Sequence, residues 1–191
     1  MGTQTLLNYE LRTEPFPLRA STTTGTPNGK LTIVASNPHP EQTVTIKKIV
    51  ISIPLGSSGA TLSIDPSPDP IPPVDWKCDT SEGQNVAVYT FKPNAGKGQV
   101  DGQGLAFIFN AIQVNSKPGT VDVTLVEEVR DDEAICNLKI TKFPAGWGKG
   151  GVLGQPRDSF SRRFDLSQLA WTAERDLYDR LLHPAARHRH G

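Results

Sequence analysis

Glycine is concentrated in three short segments with the look of phosphate cradles: Gly96-Lys97-Gly98, Gly102-Gln103-Gly104 and Gly148-Lys149-Gly150-Gly151. A phosphate loop needs its Gly-Lys followed directly by Ser or Thr, and a dinucleotide fingerprint needs its glycines to open a helix. Neither condition is met, so these segments read as turns between strands. Carboxylates gather at two places. Glu127, Glu128, Asp131, Asp132 and Glu133 crowd one stretch, and Asp65, Asp69, Asp75 and Asp79 flank a run of prolines. A hard cation such as calcium takes about six or more oxygen ligands. Asp65, Asp69, Asp131 and Asp132 are the candidate ligands for one, beside the simpler reading of solvated turns. His183, His188 and His190 lie in an Arg/His-rich end, without the Cys-x-x-Cys or His-Glu-x-x-His spacing of a built zinc site. No Gly-x-Ser-x-Gly elbow presents a nucleophile. Trp76 and Trp147 are candidate ligand-binding residues, because an aromatic ring stacks on sugar faces and anchors interfaces; each can equally cap an open end of a core. No cofactor is expected.

The elements that must position these residues are strands. Leu31, Ile33 and Ala35 alternate with polar residues, the period of a half-buried strand. Val44 and Ile46 continue on even numbers, then Ile49, Ile51 and Ile53 move to odd ones. Side chains alternate strictly along a strand, so the change of parity requires a β-bulge or a strand break at Lys47-Lys48. Leu62 and Ile64 predict a short strand. Asp65 to Pro73 is too rich in proline for a central strand and reads as an extended surface crossing. Val86 to Phe91, Leu105 to Phe109, Val121 to Leu125 and Cys136 to Ile140 supply further strands, with Arg130 to Glu133 as a hairpin tip. Cys136 shares its phase with Leu138 and Ile140, which makes it a core residue. About seven strands between residues 29 and 143 predict an all-β fold, an antiparallel two-sheet sandwich of the immunoglobulin-like kind. The Trp-Cys spacing of antibody domains is absent.

The flanks differ. Residues 1–28 read as an irregular arm, in which Leu7, Tyr9 and Leu11 alternate as a short edge strand would. The sandwich is expected over 29–147, followed by a Gly-rich linker over 148–164. From 165 to 183, Leu166, Leu169, Ala170, Ala173, Leu177 and Leu181 recur at helical spacing, with Asp165 as N-cap. Such a short helix cannot bury its stripe alone, so Leu166, Leu169, Leu177 and Leu181 form a candidate interaction surface. Residues 184–191 read as a disordered tail.

Composition narrows the partners. Lys plus Arg and Asp plus Glu are 20 each, for a formal net charge of zero. No global field draws in nucleic acid or an anionic membrane. No apolar run reaches the roughly 18 residues of a membrane span, and Met1 to Ala20 lacks the apolar core of an export signal. The expected compartment is the cytoplasm, unless a non-standard export route exists; Cys78 and Cys136 then read as free buried thiols, with a disulfide between them as the alternative.

Several stretches carry a resemblance: Phe91-Lys92-Pro93, Gly104 to Phe109, Ile112-Gln113-Val114-Asn115, Pro118-Gly119-Thr120-Val121, Glu127, and Lys142-Phe143-Pro144-Ala145-Gly146-Trp147. Together, over about residues 28–147, they resemble a group of uncharacterised bacterial β-sandwich domains. The resemblance implies the fold and a hinge at Lys-Phe-Pro, and it transfers no catalytic residue. After Trp147 the chain departs from that group, either through a helical appendage or through a shifted reading frame. The expected function is a non-catalytic module for binding or assembly, with a protein partner or self-association and neither nucleic acid nor membrane. A carbohydrate- or calcium-dependent adhesion module is the alternative, and an enzyme ranks below both.

Overall fold

The computed structural model describes residues 5–22, 29–64, 69–100, 102, 104–130 and 132–146. The predicted helix over 165–183, with Leu166, Leu169, Leu177 and Leu181, lies outside the described residues. So do the predicted linker and tail.

Alternation of apolar and polar residues sets most of the strands. In chain order they are β1 (Asn8–Glu14), β2 (Gly29–Ser36), β3 (Val44–Thr45), β4 (Lys48–Pro54), β5 (Asp69–Ile71) and β6 (Trp76–Gly83). There follow β7 (Val86–Pro93), β8 (Gln99–Val100), β9 (Leu105–Ile112), β10 (Gly119–Val129) and β11 (Asp132–Lys142). They form a four-stranded sheet in the order β1-β2-β9-β5, a five-stranded sheet β11-β10-β4-β7-β6, and a β3-β8 pair. Every paired strand runs antiparallel to its neighbours. The described residues are thus all-β, and no helix among them is long and apolar enough to cross a membrane.

One apolar core is shared by the two larger sheets. Ile33 of β2 and Ile49, Ile51 and Ile53 of β4 are fully buried. Tyr89 and Phe91 of β7 meet Phe109 and Phe107 of β9 edge to face, each pair with centroids 4.8 Å apart. These T-shaped contacts, favoured by the ring quadrupoles, join the inner faces of the two sheets.

The parity change at Lys47-Lys48 is a strand break. The Ile46 N–H donates to Gly98 O at 2.8 Å, and the Lys47 N–H donates to Glu128 O at 2.9 Å. The chain therefore leaves the β3-β8 pair and enters the five-stranded sheet within two residues. The break lets Ile46 and Ile49 both be buried although their parities differ.

Of the other segments, the edge strand expected around Tyr9 and Leu11 is β1, whereas the strand expected at Leu62 and Ile64 is not formed. Residues 8–14 pair along their whole length with β2, and Leu7, Leu18 and Ala20 are buried, so this part of the N-terminal segment completes a sheet. Ile64 is exposed, and only Ser63 beside it makes isolated bridges, to Leu55 and Val114. The proline-rich crossing contributes β5, an edge strand in which Pro70 stands opposite Phe109. An edge suits a residue without an N–H. Cys78 on β6 and Cys136 on β11 stand at opposite edges of the five-stranded sheet and are unpaired.

Candidate functional site

Two inward strand faces each carry a buried charge near one end. On β10, Val121, Val123, Leu125 and Glu127 share one phase, and all four are buried. On β11, Ala134, Ile140 and Lys142 share the inward phase with half-buried Cys136 and Leu138. Glu127 and Lys142 are each 1% exposed. Burying an ion costs several kcal/mol unless hydrogen bonds replace its water, so their partners define what each end can do.

Glu127 takes its partners from the N-terminal segment. Its Oε1 accepts the Leu6 N–H at 2.8 Å, and its Oε2 accepts the Leu7 N–H at 3.2 Å and the Tyr9 hydroxyl at 2.7 Å. Both carboxylate oxygens are therefore occupied, and the start of β1 is tied to β10. Burial, and then the charge of Glu127, push the Tyr9 hydroxyl far above the usual phenol range, so Tyr9 remains a donor. Burial also raises the Cys136 thiol, with Glu127 adding to it.

Beside Glu127 lies a cleft of about 640 Å³. It exists because β3 leaves the line of β4: Lys48 is the last β4 residue opposite β10, at Glu128, while β10 continues to Val129. The walls carry Asn37, His39, Lys47, Glu127, Arg130 and Asp132. Asn37 builds one wall, donating from Nδ2 to Gln42 O at 2.5 Å and Val100 O at 3.2 Å and accepting the His39 N–H at 2.9 Å. The volume is in the range of small-ligand sites, roughly 300–1,000 Å³. The walls offer charges of both signs and amide groups, which can hydrogen-bond a polar ligand.

At the other end, Lys142 Nζ donates to Thr61 O, to Asn115 Oδ1 at 2.6 Å and to Ser58 O at 3.4 Å. Asn115 is also 1% exposed. Its Nδ2 reaches Gly56 O and Ser58 O at 2.9 Å and Thr61 O at 2.7 Å, while its Oδ1 also accepts the Lys117 N–H at 3.1 Å. Burial, without a carboxylate to offset it, pushes the Lys142 amine down to about 8. The loops can approach this closely because Gly59 and Gly119 face each other. A Cβ on Gly119 would stand 2.7 Å from Gly59 O. This end is closed by its own main chain.

The candidates named from sequence are distributed differently. Trp76 is 6% exposed and packs edge-on against Phe107, with centroids 5.9 Å apart. Asp69 is on β5 and Asp132 on β11, edge strands of different sheets; β1, at the far side of its sheet from β5, is the strand that contacts β11. The structure does not bring the two carboxylates together. Asp65, Asp131 and Trp147 lie outside the described residues. Among the described residues no group of three His, Cys, Asp or Glu is placed to hold a metal. Of the acidic hairpin, Glu128 pairs with Lys48 at 2.5 Å, and Glu133 lies 3.9 Å from the same amine. Sequence reasoning did not single out Asn115, Glu127 and Lys142 as buried polar groups. The signal was the strand phase, which runs unbroken from Val121 to Glu127 and from Cys136 to Lys142.

No family model and no curated protein matches the chain. Among solved structures, the chain is similar to a DUF4466 family protein from Parabacteroides merdae, with a TM-score of 0.40 and 11% identity. The similarity covers 73% of this chain and 46% of that one, so the chain spans less than half of that protein's length.

Proposed function

We propose that the described domain is a non-catalytic binding module, a two-sheet sandwich of the immunoglobulin-like kind that takes a polar ligand or a protein segment in the cleft beside Glu127. The observation that carries this reading is the cleft itself, a concave site of about 640 Å³ whose walls hold Lys47, Arg130, His39 and Asp132. The engagement of both Glu127 oxygens by N–H and O–H donors supports it further, since that carboxylate is committed to holding β1. In the assembly form of the reading, the stripe Leu166, Leu169, Leu177 and Leu181 supplies self-association. The adhesion alternative keeps fewer supports, because Trp76 is inside the core and Asp69 and Asp132 stand apart, while Asp65, Asp131 and Trp147 lie outside the described residues.

The test is amide chemical-shift mapping on the full chain with a panel of short acidic, basic and neutral peptides and simple oligosaccharides. Shifts confined to Lys47, Arg130 and Asp132, and abolished by Arg130→Glu without loss of melting temperature, support the cleft. Binding that persists unchanged in Arg130→Glu refutes it. Light scattering of the full chain over a concentration series, beside Leu169→Glu/Leu177→Glu, tests the assembly form. A mass that stays monomeric throughout counts against self-association.

A further inference from the structure

The end opposite the cleft holds a buried amine against a carboxamide. Lys142 Nζ lies 2.6 Å from the carboxamide oxygen of Asn115, and both residues are 1% exposed. Among the described residues, the hydrogen-bond partners of the amine are the neutral oxygens of Ser58, Thr61 and Asn115. An amine held against a carboxamide in a dry, fixed site has a high effective concentration. We propose that Lys142 and Asn115 join through an intramolecular amide bond, a side-chain cross-link between the end of β11 and the loop before β10.

The step balances without a co-reactant. Neutral Nζ attacks Cγ of Asn115, the Cγ–Nδ2 bond breaks, and Nδ2 leaves as ammonia after gaining a proton. That proton comes from Nζ. The Thr61 hydroxyl oxygen, which accepts from Nδ2 at 3.0 Å, lies beside the leaving nitrogen. The negative charge that develops on Oδ1 in the tetrahedral intermediate falls on an atom already accepting the Lys117 N–H at 3.1 Å, the arrangement that stabilises an oxyanion. Nothing is oxidised or reduced. Burial also favours the uncharged amine, the form that attacks. Asparagine carboxamides are attacked slowly by main-chain nitrogens in ordinary proteins, and a lysine amine is the stronger nucleophile.

The test is intact mass and peptide mapping of the full chain, fresh and after incubation at about pH 9, where more of the amine is neutral. The expected result is a loss of one ammonia per chain, a linked peptide containing Asn115 and Lys142, and no tryptic cut after Lys142. Lys142→Arg keeps a cation but no comparable nucleophile, and it is expected to retain the full mass. An ammonia lost through a succinimide at Asn28-Gly29 would persist in that variant and leave Lys142 free. Free Lys142 with intact Asn115 in the wild-type map after incubation overturns the proposal, whether or not the variant folds.

Discussion

The two ends of the described domain solve the same problem in opposite ways. Each buries one charge at the last fully buried position of a strand, and the two strands are neighbours in one sheet. At the Lys142 end, the carbonyls of Ser58 and Thr61 and the amide of Asn115 close over the amine. At the Glu127 end, the partners come from Leu6, Leu7 and Tyr9, and a cleft remains beside them. A charge satisfied by loops of the fold seals its end. A charge satisfied by an edge strand leaves its surroundings open.

Removing Asn115 is the strongest way to break this contrast. Asn115→Ala strips Lys142, Lys117 and the Gly56 carbonyl of a partner at once. Removing one partner of a buried ion costs about 3–5 kcal/mol, and urea unfolding should show a loss of that order. Gly119→Ala attacks the same end through shape. Its Cβ would meet Gly59 O at 2.7 Å, and about 1–3 kcal/mol is expected from the forced backbone shift. Glu127→Gln acts at the open end. It keeps acceptor capacity on only one side-chain atom, so one or more donors of the β1 start lose a partner, at about 1–3 kcal/mol. Hydrogen exchange should speed up at Leu6, Leu7 and Tyr9 before it does anywhere in β10.

A pH titration sharpens the comparison. The folded-state value of Lys142 lies near 8 against 10.5 for the free side chain. Between those values the unfolded chain binds more protons, so the penalty of burying the cation is full below about pH 8. While the amine is free, stability should therefore rise as pH goes from about 8 towards 10.5. Closure of the amide with Asn115 removes the titrating group and flattens the profile, as Lys142→Met also should. The smallest effect is expected from Lys48→Ala, which removes a partly exposed ion pair with Glu128 and should cost less than about 1 kcal/mol.

Most of the sheet framework was legible because burial on one face imposes alternation. β2, β4, β7, β10 and β11 follow from that pattern, and the parity change at Lys47-Lys48 marked the place where the chain changes sheets. β6 was not legible. Beyond Trp76 and Cys78 its residues are exposed, and an edge strand with one neighbour and little burial needs no apolar period. Ile64 misled for the converse reason, since an isolated apolar residue in a loop carries no phase. The cleft was illegible because it arises from the divergence of β3 from β4, a relation between distant segments. Glu127 and Lys142 were legible in principle. Each continues an apolar phase in a type of residue that ordinarily ends it, and acidic clustering around Glu127 drew the reading towards solvated turns.

The ties that follow β11 bear on mechanics. The Phe143 N–H donates to Leu18 O at 2.9 Å, and the Ala20 N–H donates to Phe143 O at 2.8 Å. The chain enters β1 beside the Glu127 end and leaves β11 at the Lys142 end. A pull applied between Leu7 and Phe143 therefore runs along the strands. It loads the seven-residue β1-β2 ladder in shear, all rungs sharing the tension, where a peeling geometry would open them one after another.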